Sequence, residues 1–231
     1  KVGTQPIIGT QINFKFGDTI GLLPLFAMNE KGYKRIIELS SISFLHNDQL
    51  SDPYVSFEEL YKKSDGVALF SGTVMGLFGK LFEKGKSSEI DELYLKLKSI
   101  YKDRFYIEIQ RHNDQNEIFF EKFNLQKSSD FEISLIATNE TFYISKNIYE
   151  AHDALLCIKN KTYVNEKNRL KLTDQHYFKN DLEMSELFSD IPEALENNYN
   201  FPLRCSFKPS FSKPILPNIS SEKEGNADDI L

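Results

Sequence analysis

The sequence contains no tryptophan and only two cysteines, Cys157 and Cys205, in 231 residues. Two cysteines cannot build a disulfide framework, so the expectation is a reducing, cytoplasmic setting. No apolar run approaches the roughly 20 residues that a membrane helix needs. Basic residues are in deficit, 28 against 34 acidic ones, for a net charge of -6. A dedicated nucleic-acid-binding module usually carries a basic excess, so that class is disfavoured, while a local basic patch is not. The histidines are His46, His112, His152 and His176, and no two are three to five residues apart. The usual zinc spacing is therefore missing, as are H-E-x-x-H, a Walker loop and G-x-S-x-G. There is no initiator Met and no apolar signal core ahead of Ile7, where a strand pattern begins. So abrupt a start predicts a piece of a longer chain.

What is present is ordinary globular material, 40% hydrophobic and 27% charged, which argues against wholesale disorder. Alternation over Ile7 to Phe16, a break at Gly17-Asp18 and an apolar run over Leu22 to Met28 predict a hairpin. Asn29 caps a helix with Tyr33, Ile36, Ile37 and Phe44 at helical spacing. His46 to Pro53 reads as a polar loop, and Ser56 to Glu59 has the spacing of a capping box. Val67 to Phe70, between Gly66 and Gly72, predicts a buried strand. Ser88 to Tyr101 is amphipathic, with Ile90, Leu93, Tyr94, Leu97 and Tyr101 on one face. Strands at Arg104 to Ile109 and Phe131 to Ala137 flank a helix over Asp114 to Gln126. A last helix, Asn147 to Ile158, places Ile148, Ala151, Leu155 and Ile158 on a core-facing side. This alternation predicts α/β architecture with a mainly parallel sheet over Val67 to Ile158.

Beyond Asn160 the character changes. Lys159 to Lys171 holds five bases against Glu166, and Asp181 to Glu196 holds six acids and no base. Asp190-Ile191-Pro192-Glu193 predicts a helix start, with Asp190 as cap. From Phe201 onward the chain reads as linker or extended arm. On composition alone His112 reads as an exposed loop residue, His152 as a buried, hydrogen-bonded one and Glu140 as a solvated carboxylate at a strand end. Gly72, Gly76 and Gly79 read as a tight strand-to-helix turn with close packing, and the basic run reads equally as a phosphate contact or a solvated loop.

Several strings, in order, resemble one family. They are Gln5 to Gly9, Leu25 to Tyr33, Gly66 to Gly72, Ala137 to Asn139, Ala151 to Ile158 and Glu186 to Asn197. Over residues 5 to about 205 the sequence is similar to the N-terminal part of bacterial DNA polymerase III alpha subunits. The resemblance implies a PHP domain (polymerase and histidinol phosphatase type). That is a distorted α/β barrel, N-terminally truncated here, followed by a mostly helical and extended C-terminal segment. The implied division is 1–160 for the PHP domain, 161–205 for its end and the connection to a polymerase core, and 206–231 for a linker or the start of that core. Active relatives hold up to three metal ions in the barrel mouth. The family's ligand positions fall on Gln11, Thr73, His112, Glu140 and Phe142. His112 is kept and Glu140 is a conservative replacement, whereas Gln11, Thr73 and Phe142 are lost ligands. The resemblance thus implies a degenerate site without metal or other cofactor, a structural role, and a parent chain whose missing palm would use Mg. It further implies polymerase III holoenzyme subunits as partners, a proofreading exonuclease subunit among them, DNA through the parent chain, and no membrane. The rival expectation is a metal-dependent phosphoesterase or 3′-5′ nuclease of the same superfamily.

Overall fold

The structure is a computed structural model that describes residue 3, residues 5–45 and residues 52–210. Strands β1 (Gly9–Phe16) and β2 (Thr19–Ala27) form the expected hairpin in antiparallel register, Phe16 opposite Thr19. Helix α1 (Glu30–Leu45) follows, and the Asn29 side chain accepts the Gly32 N–H at 3.1 Å, the cap read from the sequence. A two-residue strand, β3 (Val55–Ser56), and a 3₁₀ turn at Phe57–Tyr61 lead to β4 (Val67–Phe70). Then come α2 (Leu77–Glu83), α3 (Ser87–Tyr101), β5 (Phe105–Ile109), α4 (Gln115–Phe131) and β6 (Leu135–Ala137). Helices α5 (Tyr149–Asn160), α6 (Asp181–Leu187) and α7 (Pro192–Asn200) complete the described elements.

The sheet order is β3-β1-β2-β4-β5-β6. β4, β5 and β6 run parallel, joined by helical crossovers, whereas β2 is antiparallel to both β1 and β4. The parallel reading, made for Val67 to Ile158, holds across β4, β5 and β6. Because β4, β5 and β6 are covered on both faces, their residues are buried without alternation. One face packs on α1, α2, α3 and α4. All five apolar positions read on α3 are buried, Tyr94 and Leu97 completely; each such side chain contributes about 1.5–3 kcal/mol of burial. The other face carries Ala68, Phe70, Tyr106 and Ile136 and is covered by Phe201 and Cys205. The segment read as linker or extended arm from Phe201 onward is thus a strap as far as Phe207, whose ring stacks on Tyr33 at 4.4 Å. The outer edge of β6 is capped by α7, where Asn197 Nδ2 donates to Leu135 O at 2.8 Å and Asn198 Nδ2 to Ala137 O.

Local expectations fail where tertiary contacts compete with them. Ser56 makes no cap bond, its hydroxyl turning to Glu58 instead. Asp190 does not cap α7. It pairs with Arg111, Ile191 takes the cap position, and Pro192 keeps the first turn. The capping box that does form is Asn180 with Glu183. Phe131 closes α4 rather than opening a strand, because Glu132 turns left-handed (φ 50°) and stops the helix. The α5 face read as core is exposed: Leu155 is 60% and Ile158 75% accessible, while Asp153 and Cys157 point inward. Ile37 and Phe44 of α1 are also exposed. The expected loop at His46 to Pro53 lies mostly, and the tail 211–231 wholly, outside the described residues.

Candidate functional site

The parallel strands β4, β5 and β6 end at one place, and the loops after them carry the polar residues. β4 ends in Ser71-Gly72-Thr73. Gly72 has φ +78°, and a Cβ on Gly79 would fall 1.9 Å from the Val74 carbonyl oxygen, so both glycines serve the tight turn and close packing read for them. The fully buried Ser71 hydroxyl accepts the Glu108 N–H at 2.9 Å, tying β4 to β5.

Glu108 is the one charged side chain on β5, and its carboxyl group turns inward at 6% exposure. Oε1 accepts from Gln110 Nε2 at 3.1 Å and from the Thr138 hydroxyl, while Oε2 is buried with no hydrogen-bond partner. Burial, reinforced by the nearby Glu140 charge, pushes the Glu108 carboxyl up from the usual range. Glu140, expected as a solvated loop carboxylate, is partly withdrawn from water, and burial pushes it up as well.

Gln11 from β1, Thr73 from the β4–α2 turn and Glu140 from the loop after β6 meet around one small cavity of about 50 Å³. Three of the five family positions thus share a space. His112 and Phe142 do not line it. His112 is 1% exposed, which corrects the solvent-exposed reading. Its Nδ1 lies 2.8 Å from Glu117 Oε1, its backbone N–H donates to Glu117 Oε2 at 2.6 Å, and Nε2 accepts the Glu140 N–H at 3.2 Å. That last bond fixes the tautomer: the proton sits on Nδ1 and is given to Glu117. The ring stacks on His176 at 4.0 Å and 10°. Burial, and then the neighbouring His112, pull His176 down to about 4, so it is neutral at pH 7. Phe142, 46% exposed, lies 5.7 Å from both His176 and His152. His152, expected to be buried and hydrogen-bonded, is only half-buried, and its Nδ1 finds no partner.

The segment from Thr173 to Lys179 is strapped over these strand ends. Thr173 donates its hydroxyl to His112 O, Phe142 N–H donates to His176 O at 2.9 Å, and Lys179 Nζ reaches Asn139 Oδ1 at 3.0 Å. Next to it Arg111 binds Glu121 and Asp190 and lies 4.9 Å over the Phe188 ring, fastening α4 to the α6–α7 turn. Reading the sequence missed Glu108, Glu117, His176 and Arg111. Glu108 had a usable signal, a charge inside a strand otherwise apolar on both faces, whereas Thr173 to Lys179 had none.

The donors do not fit a multi-metal cluster. The Nε2 lone pair of His112 is taken by the Glu140 N–H, Gln11 and Thr73 are neutral, and Phe142 offers no donor atom. Among the described residues no three His, Cys, Asp or Glu side chains are grouped so as to hold a metal ion. Among them, too, no helix is long and apolar enough to cross a membrane.

Comparison with known proteins agrees with this architecture. Residues 1–112 match the PHP domain family. The chain is 36% identical over 224 residues to the DNA polymerase III subunit alpha of Caulobacter vibrioides, covering 94% of this chain and 20% of that protein. It is 34% identical over 229 residues to that of Rickettsia conorii (99% and 19%) and 32% identical over 239 residues to that of Borreliella burgdorferi (98% and 21%). The chain therefore spans about one fifth of the relatives it matches. An α/β sheet with its polar loops gathered at one end and the family match assign residues 1–112 to the PHP domain family, and nearly the whole chain is similar to DNA polymerase III alpha subunits over about one fifth of their length.

Proposed function

We propose that the chain is a segment of a replicative DNA polymerase and that its PHP domain acts by packing rather than by chemistry. The carrying observation is the state of His112. A metal-ligating imidazole must offer a free lone pair, and here the Nε2 lone pair accepts the Glu140 N–H at 3.2 Å, while the Nδ1 bond to the Glu117 carboxylate orients the ring in either state. The strand-end loops are knitted together by hydrogen bonds where an active site would keep open positions. On this reading the PHP domain ends near residue 205, since Phe188, Ile191 and Ala194 belong to the same core as the sheet. The rest of the parent chain supplies the Mg-dependent palm, and holoenzyme subunits, including a proofreading exonuclease, are its partners in the cytoplasm.

One observation favours the rival, a metal-dependent phosphoesterase or 3′-5′ nuclease: Glu108 Oε2 is buried without a partner, near Glu140. Burial pushes the Glu108 carboxyl up, which weakens its demand for a cation. The test is primer extension by the full-length parent. It should extend a primed template with Mg, and Glu108→Gln, which keeps the shape of a neutral acid, should leave extension and fold intact. A parent that extends no primer, or a Glu108→Gln variant that folds normally but loses all activity, overturns the reading.

A further inference from the structure

The basic run at residues 159–171 is left unused by the packing role. Lys159, Lys161, Lys167 and Lys171 are exposed and pair with no carboxylate among the described residues. The two other charges in the run are held by local bonds. Arg169 makes a bidentate pair with Asp153 at 2.6 and 2.7 Å, with both side chains buried. Glu166 bends back to accept the Tyr163 N–H at 3.0 Å, closing a turn in which the Glu166 N–H returns to Tyr163 O. Arg169 Nη2 also donates to Val164 O at 3.1 Å, so the turn is fastened to α5. What faces outward along this run is four lysines and Tyr163, which is 74% exposed, together with Val164 and Leu170 and interleaved with exposed Asn160, Asn165 and Asn168.

We propose that residues 159–171 are a contact for single-stranded DNA, in which the four lysines meet phosphates and Tyr163 stacks on a base. Lysine and asparagine side chains are common donors to phosphate and sugar oxygens. An exposed ring within a basic groove or loop is the usual platform for an unpaired base. The exposed Leu155 and Ile158 of α5 adjoin the run and would suit an anionic membrane, but the amides interleaved with the lysines favour the phosphate and sugar oxygens of DNA. The acidic net charge of the chain does not oppose the contact, since screening at physiological salt limits charge effects to about 8 Å. The inference rests on the reading that the parent chain handles DNA.

The test uses the full-length parent and a fluorescein-labelled 20-mer of single-stranded DNA, with anisotropy read between 50 and 200 mM salt. The double variant Lys161→Gln/Lys167→Gln should reduce the slope of log affinity against log salt by about 1.4, two phosphate contacts at about 0.7 each. Tyr163→Ala should weaken binding about fivefold or more. Ultraviolet cross-linking to a bromouracil-substituted 20-mer should place an adduct at Tyr163. Asp153 and Arg169 stay untouched, and unchanged melting temperatures verify the fold. The proposal is overturned if both variants keep the wild-type slope and affinity, or if the lysines bind phosphatidylserine vesicles while DNA binding is unaffected. Wild-type primer extension with indifferent loop variants would sink this contact alone. A parent that neither binds nor extends primed DNA would sink the polymerase reading as well.

Discussion

Replacing His112 by alanine is the perturbation that separates a structural imidazole from a spare one. The ring is 1% exposed and stacked on His176. Truncation leaves Glu117 Oε1 without its Nδ1 partner and the Glu140 N–H without an acceptor. Each newly unpaired buried group costs about 1–3 kcal/mol. The Glu117 carboxylate keeps the His112 backbone N–H, which limits its share. The expected cost is about 2–4 kcal/mol, a drop in melting temperature of roughly 4–16 °C for a domain of this size. His112→Asn carries an N–H near the Nδ1 position and should recover about half of the loss. The assay is differential scanning calorimetry of the full-length parent, read on the transition that each variant moves, with primer extension measured below that transition. A shift worth under about 0.5 kcal/mol, the range of a surface substitution, would refute the argument. So would loss of primer extension with the melting curve unchanged, because the ring would then have a chemical task.

Leu155→Ala should change stability by no more than about 0.5 kcal/mol in urea unfolding, since the side chain is 60% exposed; a core position would lose about 2–5 kcal/mol. Asp153→Asn breaks the pair with Arg169 and should lower stability by the same measurement, with raised hydrogen exchange in residues 161–170. His176 is held near 4 in the fold and returns to its ordinary value near 6.5 when unfolded, so between these values the unfolded chain binds more protons. Its contribution is complete above pH 6.5 and is lost as pH falls through 6.5 toward 4, about 2–3 kcal/mol in all. Glu108 and Glu140, both pushed up, act in the opposite sense, so the quantity to measure is the pH 7 to pH 5 change in melting temperature of wild type minus that of His176→Phe.

The parts of the fold that could be read from the sequence are those fixed by local pattern. The hairpin, β4 between its glycines and the buried stripe of α3 each carry a period that only one environment satisfies. Reading α5 by the same rule fails. Its stripe of Ile148, Leu155 and Ile158 has helical spacing, yet a buried Asp153 paired with Arg169 turns the helix the other way. Periodicity reports that a face is apolar, not whether anything in the described chain covers it. The candidate site was legible in part. Gln11, Thr73 and Glu140, named through the family resemblance, do meet. The burial of His112 was not legible, because its cover comes from Thr173 and His176, more than 60 residues later in the chain, and no local signal announces such a strap.

The central claim is that the PHP domain contributes packing and no metal chemistry. It is tested most directly by metal analysis of the purified full-length parent, paired with a 3′-end cleavage assay on labelled DNA in the absence of any added exonuclease subunit. The account predicts less than one zinc, manganese or iron per chain and no cleavage above background, with or without added manganese. Two or more tightly held metal ions per chain, with cleavage of 3′ ends that is lost in His112→Asn while the melting curve stays unchanged, would contradict it.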